Sequence, residues 1–101
     1  MDDIQIAKLI LKRRRQIVIH SCIYYVHGKS LITDTQFDKW AYELVDLQNK
    51  YPQIARLGDW SFEFRDFDGS TGYDLPLVGG WVSGKAQQLI DYAEENGLLL
   101  E

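Results

Sequence analysis

A single cysteine, Cys22, stands among the 101 residues, so no disulfide can form within the chain. Cys22 and the two histidines, His20 and His27, lack the spacing of a zinc site. Helical positions two apart face different ways, whereas a metal needs converging ligands, so metal binding is not expected. No apolar run is long enough to span a bilayer, and Met1-Asp2-Asp3 carries the wrong charge for a secretory leader. A cytoplasmic protein with no membrane segment is the expectation. Gly79-Gly80 and Gly84 do not have phosphate-loop spacing, and no Walker lysine and hydroxyl follow them. Nucleophile and base are equally hard to pair, because Cys22 lies in an apolar run that points to burial. Internal repeats and low-complexity tracts are also missing. No catalytic residue is assigned, and the chain reads as a non-enzyme.

Positive charge is in short supply as well. Eleven Lys/Arg face fifteen Asp/Glu, for a net charge of −4 divided unevenly: residues 1–29 carry +4 and residues 30–101 carry −8. Such asymmetry can orient a protein on a partner. The thirteen carboxylates of the second part would repel a phosphate backbone, so autonomous nucleic-acid binding is not expected. Lys12-Arg13-Arg14-Arg15 is the one basic run. Four consecutive helical residues spread around the circumference, so the run reads as a solvated collar with one snorkelling stem in preference to a phosphate contact.

What is present suits one domain over residues 1–101, with 46% hydrophobic content, enough for a core. Asp2 and Asp3 favour a helix start, and Ile6, Leu9, Ile10, Ile17, Cys22, Ile23 and Tyr24 give an imperfect helical stripe running to about His27, before Gly28. Thr33 and Gln36 have the spacing of a capping box, with Ile32 and Phe37 placed for a hydrophobic staple. A second helix therefore begins at Asp34, buries Phe37, Trp40, Ala41, Leu44, Val45 and Leu47, and stops near Tyr51 ahead of Pro52. The short connection makes the two helices, residues 3–27 and 34–50, an antiparallel hairpin.

A hairpin cannot cover both of its apolar stripes, so the remaining residues must do so. After a polar turn, Trp60-Ser61-Phe62-Glu63-Phe64-Arg65 alternates like a strand with Trp60, Phe62 and Phe64 on one face. Asp66 to Gly72 reads as a turn, and Tyr73 to Val78 as an edge strand holding Pro76. Ser83 is placed to cap a third helix, Gly84 to Asn96, with Ala86, Leu89, Ile90 and Ala93 buried and Gly97 closing it. Leu98 to Leu100 either pack or hang free. The expected fold is mainly α (α+β): residues 1–52 form the hairpin, and residues 53–101 supply a short aromatic β-ribbon and a C-terminal helix.

The most informative stretch is YYVHGKSLITDTQFDKWAYELVDLQNKY, residues 24–51. Its pattern Y-Y-x(8)-D-x-x-[YF]-D, followed by an amphipathic helix and Tyr51-Pro52, resembles the amino-terminal (Ia) subdomain of bacterial NAD-dependent DNA ligases. That subdomain is a small helical cap that grips the nicotinamide mononucleotide half of NAD. By this resemblance Tyr24, Tyr25, Asp34, Phe37 and Asp38 match its binding motif, with Phe37 where family members usually have Tyr. The residue types agree with that chemistry, since a pyridinium cation is attracted both to an aromatic face and to negative charge. Residues alone permit a plainer reading, in which Tyr24 and Phe37 pack in the hairpin core and the two aspartates cap the helix.

The ligase nucleophile is the lysine of a Lys-x-Asp-Gly motif in a separate nucleotidyltransferase domain, and neither occurs here. Asp66-Phe67-Asp68-Gly69 has an acid at the nucleophile position and reads as a turn. The resemblance thus implies a non-catalytic ligase-like module that binds NAD or nicotinamide mononucleotide weakly. The alternative is a protein-interaction or regulatory module that keeps the subdomain's shape and meets a ligase or another replication or repair protein. Compact ligase-like chains of this kind would suit a phage or mobile element.

Overall fold

The computed structural model describes residues 1–100, which form four helices: α1 (Asp3–Tyr25), α2 (Asp34–Lys50), α3 (Pro52–Ala55) and α4 (Gly80–Asn96). At the start of α1 Asp2 Oδ1 accepts from Gln5 N–H at 2.8 Å while Gln5 Oε1 accepts from Asp2 N–H at 3.0 Å. This capping box satisfies two amides that the helix itself cannot bond.

Helix α1 lies between α2 and α4. Arg13 pairs with Glu43 and His20 stacks against Trp40, so α2 runs back antiparallel to α1 as the hairpin reading expects. Arg15 lies over Trp81, and fourteen residues further on Lys29 pairs with Glu94, so α4 runs parallel to α1 on its other side. Flanked in this way, α1 has no continuous solvent face in its second half: Ile17, Val18, Ile19, Ser21, Cys22 and Ile23 are all buried. A helix apolar all round is a helix buried all round, which explains why its stripe looked imperfect. The core cluster joins these residues to Ala41 and Leu44 of α2, Phe64 and Leu77 of the connecting segment, and Val82, Ala86 and Ile90 of α4.

The ends of the elements differ in detail from expectation. Helix α1 stops at Tyr25, two residues early, and Gly28 takes the left-handed conformation (φ +66°) with its N–H donating to the Tyr24 carbonyl. At α2 only one half of the expected capping box forms, Gln36 N–H to Thr33 Oγ1 at 3.1 Å. The polar turn after α2 is instead the single turn α3, with Pro52 in a first-turn position where its missing N–H costs nothing. Helix α4 starts at Gly80, four residues early. Gly79 occupies the cap position, and Ser83 Oγ accepts from Gly79 N–H at 2.8 Å. Val82, Ala86, Ile90 and Ala93 are buried, whereas Leu89 is exposed. Gly97 closes the helix at φ +66°, and the tail packs, with Leu100 N–H donating to the Ser30 carbonyl at 2.9 Å.

The β-ribbon is not formed, and no strand occurs among the described residues. Residues 60–67 are a succession of turns, with Phe64 N–H bonded to Trp60 O and Phe67 N–H to Phe64 O. Trp60 adopts φ +62°, incompatible with an extended strand. The three aromatics consequently diverge. Phe64 is fully buried, Phe62 is 68% exposed beneath the Arg65 guanidinium, and Trp60 sits half-buried against Trp81. Tyr73 to Val78 is likewise turn and irregular backbone.

One member of the basic run anchors the chain just before this segment. Arg14 is not part of a solvated collar: it is 1% exposed, and its guanidinium donates to the carbonyls of Ala55 (2.5 Å), Leu57 (3.1 Å) and Asp59 (3.4 Å). Gln48 Nε2 donates to the Phe64 carbonyl at 3.1 Å. Arg14 thereby ties down residues 55–59, just ahead of the expected strand, and Gln48 takes one carbonyl within it, so the aromatic segment is held to the hairpin as turns. Burial lowers the Arg14 guanidinium from its ordinary value, opposed by the Glu63 carboxylate. Among the described residues no helix is long and apolar enough to cross a membrane.

Candidate functional site

Beyond Gly28 the chain needs five more residues to enter α2, and this loop, with the end of α1 and the first turns of α2, borders a cleft of about 310 Å³. All five residues singled out by the ligase resemblance line it: Tyr24 and Tyr25 from the last turn of α1, and Asp34, Phe37 and Asp38 from α2. Each position follows from helical geometry. Asp34 and Asp38 are one turn apart and so share a face, and Phe37 neighbours both. Asp34 is the first residue of α2, where the partial positive charge of the helix end favours a carboxylate.

The plainer packing reading does not describe Tyr24, which is 56% exposed; Tyr25 is 41% exposed. Their rings meet edge-on at 4.9 Å, and Tyr25 meets Tyr73 in the same manner at 5.3 Å. Phe37 does pack on the core from the cleft side. Neither Asp34 nor Asp38 has an ion-pair or side-chain hydrogen-bond partner among the described residues. The cleft therefore offers two free carboxylates beside aromatic rings.

Sequence reasoning missed the rest of the wall. His20 and Ser21 lie on the α1 surface below the tyrosines, Lys29 and Ser30 come from the loop, and Ser70 and Thr71 reach in from the distant connecting segment. His20 is spaced four residues before Tyr24 and could have been found from that alone. Ser70 and Thr71 could not, because their approach to the cleft is a long-range contact, Thr71 to Tyr25, that no local pattern announces. Thr71 Oγ1 shares a hydrogen bond of 2.7 Å with the Tyr25 hydroxyl and accepts from Tyr73 N–H at 3.1 Å. Asp68 Oδ1 accepts from both the N–H and hydroxyl of Ser70, bonds that hold its carboxyl below the ordinary range and confirm a turn at Asp66-Phe67-Asp68-Gly69.

Burial lowers the His20 pKa to about 4, so this wall of the cleft is a neutral imidazole near pH 7. Ser21 is buried and its hydroxyl has no protein partner. Gly72 lies directly against it, since a Cβ built on Gly72 would come within 1.9 Å of Ser21 Oγ. Burial pushes the Cys22 thiol up, away from the reactive thiolate. No group of three His, Cys, Asp or Glu side chains that could hold a metal occurs among the described residues.

This arrangement fits a cationic aromatic ring bearing polar substituents: aromatic rings and carboxylates for the ring, hydroxyls and one amine for the rest. Comparison with known proteins points the same way. Residues 3–58 match the family described as DNA ligase-like, N-terminal NAD+-binding domain. The chain is similar to the DNA ligase of Pseudothermotoga lettingae, 39% identical over 50 residues, which is 50% of this chain and 7% of that protein. The DNA ligase of Pelodictyon phaeoclathratiforme is 36% identical over 53 residues, 52% of this chain and 8% of the relative. That of Thermosipho africanus is 36% identical over 54 residues, 54% and 8% respectively. The matched stretch is thus less than a tenth of each relative's length, and no solved structure matches the chain. With more than half of its residues inside the match, the chain belongs to the family of DNA ligase-like, N-terminal NAD+-binding domains.

Proposed function

We propose that this chain is a non-catalytic ligase-like module that binds the nicotinamide end of NAD, or nicotinamide mononucleotide, in the cleft between α1 and α2. The observation that carries this reading is the convergence of Tyr24, Tyr25, Asp34, Phe37 and Asp38 on one cavity of about 310 Å³. Oxidised nicotinamide supplies a pyridinium cation, and the chain's own groups would bind and orient it. The tyrosine and Phe37 rings would face the ring, Asp34 and Asp38 would balance its charge, and Ser30 and Thr71 would meet its polar substituents.

Affinity should be modest, because the cleft holds only part of a dinucleotide. A cation–π contact of about 0.5–2 kcal/mol and charge-assisted hydrogen bonds of about 1.5–3 each, set against the cost of association, give a Kd on the order of 0.1–10 mM. NMR titration with NAD, nicotinamide mononucleotide and AMP in turn tests the reading. Shifts confined to Tyr24, Tyr25 and residues 34–38 with the first two ligands, and none with AMP, are expected. No shift at several millimolar would overturn it.

The second reading is an interaction or regulatory module that meets a ligase or another replication or repair protein. One observation favours it: the Tyr25 hydroxyl is already bonded to Thr71 of the chain's own connecting segment, so part of the cleft wall is engaged without any ligand.

A further inference from the structure

The basic run Lys12 to Arg15 is divided among three tasks. Arg13 pairs with Glu43 and Arg14 enters the core, while Lys12 and Arg15 turn to the opposite side of α1. There they join Lys8, at the i, i+4, i+7 spacing of a single helical face, along a groove of about 410 Å³ between α1 and α4. The floor is apolar, made by Leu11, Ile19, Leu89 and Trp81. Lys8, Lys12 and Arg15 are all exposed, and none is in an ion pair among the described residues. Lys85 joins them from α4, its Nζ 5.9 Å from the Trp81 ring centre, with the Arg15 guanidinium 5.8 Å from the same ring. No carboxylate among the described residues lines the groove. In a chain with more acids than bases, four like charges gathered over an apolar floor leave an unbalanced positive potential at one place.

We propose that the α1–α4 groove is a docking site for an acidic polypeptide segment with apolar residues along one face. Apolar side chains of the segment lie on Leu11, Leu89 and Trp81, and its carboxylates meet Lys8, Lys12, Arg15 and Lys85. Charge complementarity requires an anionic occupant, and the aliphatic floor distinguishes a peptide from a nucleic-acid strand. A strand would use Trp81 as its stacking platform. That ring already has Arg15, Lys85 and Trp60 within 6 Å of its centre, so a base would have to displace one of them. This groove is separate from the nicotinamide cleft, and the inference stands without that reading.

The test is fluorescence anisotropy with a labelled peptide of about fourteen residues, leucine at every third and fourth position and glutamate elsewhere, at low ionic strength. Saturable binding is expected. The double substitution Lys12→Glu and Arg15→Glu should weaken it about tenfold or more, and Lys8→Glu alone should weaken it several-fold. All three side chains are exposed, and unchanged circular dichroism would show that the variants fold. Asp34→Asn should leave peptide binding as it was. The inference is overturned by no saturable binding up to millimolar peptide, or by indifference to both charge reversals. It is equally overturned if a scrambled peptide, or oligothymidine of equal length, binds as tightly as the patterned peptide.

Discussion

Gln48 Oε1 accepts from both Nε and Nη2 of Arg14, at 3.1 and 2.9 Å, and fixes the guanidinium so that its remaining donors reach Ala55, Leu57 and Asp59. A cation buried among neutral oxygens is held by geometry, and each of those oxygens depends on it for a partner. Replacing Arg14 by Met should remove all of these hydrogen bonds at once and cost about 3–5 kcal/mol. Arg14→Lys keeps the charge but not the planar fork, and should cost about 2–3 kcal/mol. Urea denaturation of the two variants against the parent measures both.

Charge in the cleft should discriminate between redox forms of the cofactor. Asp34→Asn or Asp38→Asn should weaken the oxidised, cationic form roughly three- to tenfold, about 0.7–1.4 kcal/mol, and leave NADH less affected because its ring is neutral. Tyr24→Ala should weaken both through lost ring contact. Calorimetry or NMR titration reads the ratios, and an equal effect of the aspartate changes on both forms would contradict the assigned role.

Gly72 has no room for a side chain. An added methyl group would enter the space of Ser21 Oγ, so Gly72→Ala should destabilise by about 1–3 kcal/mol and displace Ser70 and Thr71 from the cleft. The double variant Gly72→Ala with Ser21→Gly should recover most of the loss. Thermal melts of the set provide the check.

Acid should weaken the fold through His20. Its folded pKa, about 4, lies below the unfolded 6.5, so the unfolded chain binds the extra proton first. The contribution of His20 is fully present above pH 6.5 and is lost as pH falls toward 4, by up to about 3 kcal/mol. His20→Gln should flatten the fall of melting temperature between pH 7 and pH 4.5.

Incubation with radiolabelled NAD should leave the protein unlabelled on a denaturing gel, because no Lys-x-Asp-Gly lysine is available to carry the adenylate. A covalent adenylate would refute the non-catalytic reading.

Sequence served well where local rules act alone. The hairpin was legible in Thr33, the apolar spacing of α2 and Pro52, and the grouping of Tyr24, Tyr25, Asp34, Phe37 and Asp38 in the resemblance. It failed where one distant side chain outweighed a local pattern. The alternation from Trp60 to Phe64 is a genuine period-two signal, but a strand also needs a partner, and here Gln48 takes the Phe64 carbonyl while Trp60 adopts φ +62°. Arg14 itself was hidden by its neighbours, since a run of four cations gives no sign of which one turns inward. Ser70 and Thr71 were out of reach because only a long-range contact, Thr71 to Tyr25, brings that segment to the cleft.

The placement of α1 between α2 and α4 also bears on how this chain relates to the ligases. The stretch shared with them ends at residue 58, yet the boundary does not separate two bodies. It runs lengthwise through the core, with Ile6, Ile10 and Ile17 in one cluster with Val82, Ala86 and Ile90 of the unshared part. A transplant of residues 1–58 would carry the cleft's aspartates and tyrosines but would bare one flank of α1 and leave Arg14 without its Asp59 acceptor. The stretch shared with the ligases is therefore shorter than the packed body that holds it.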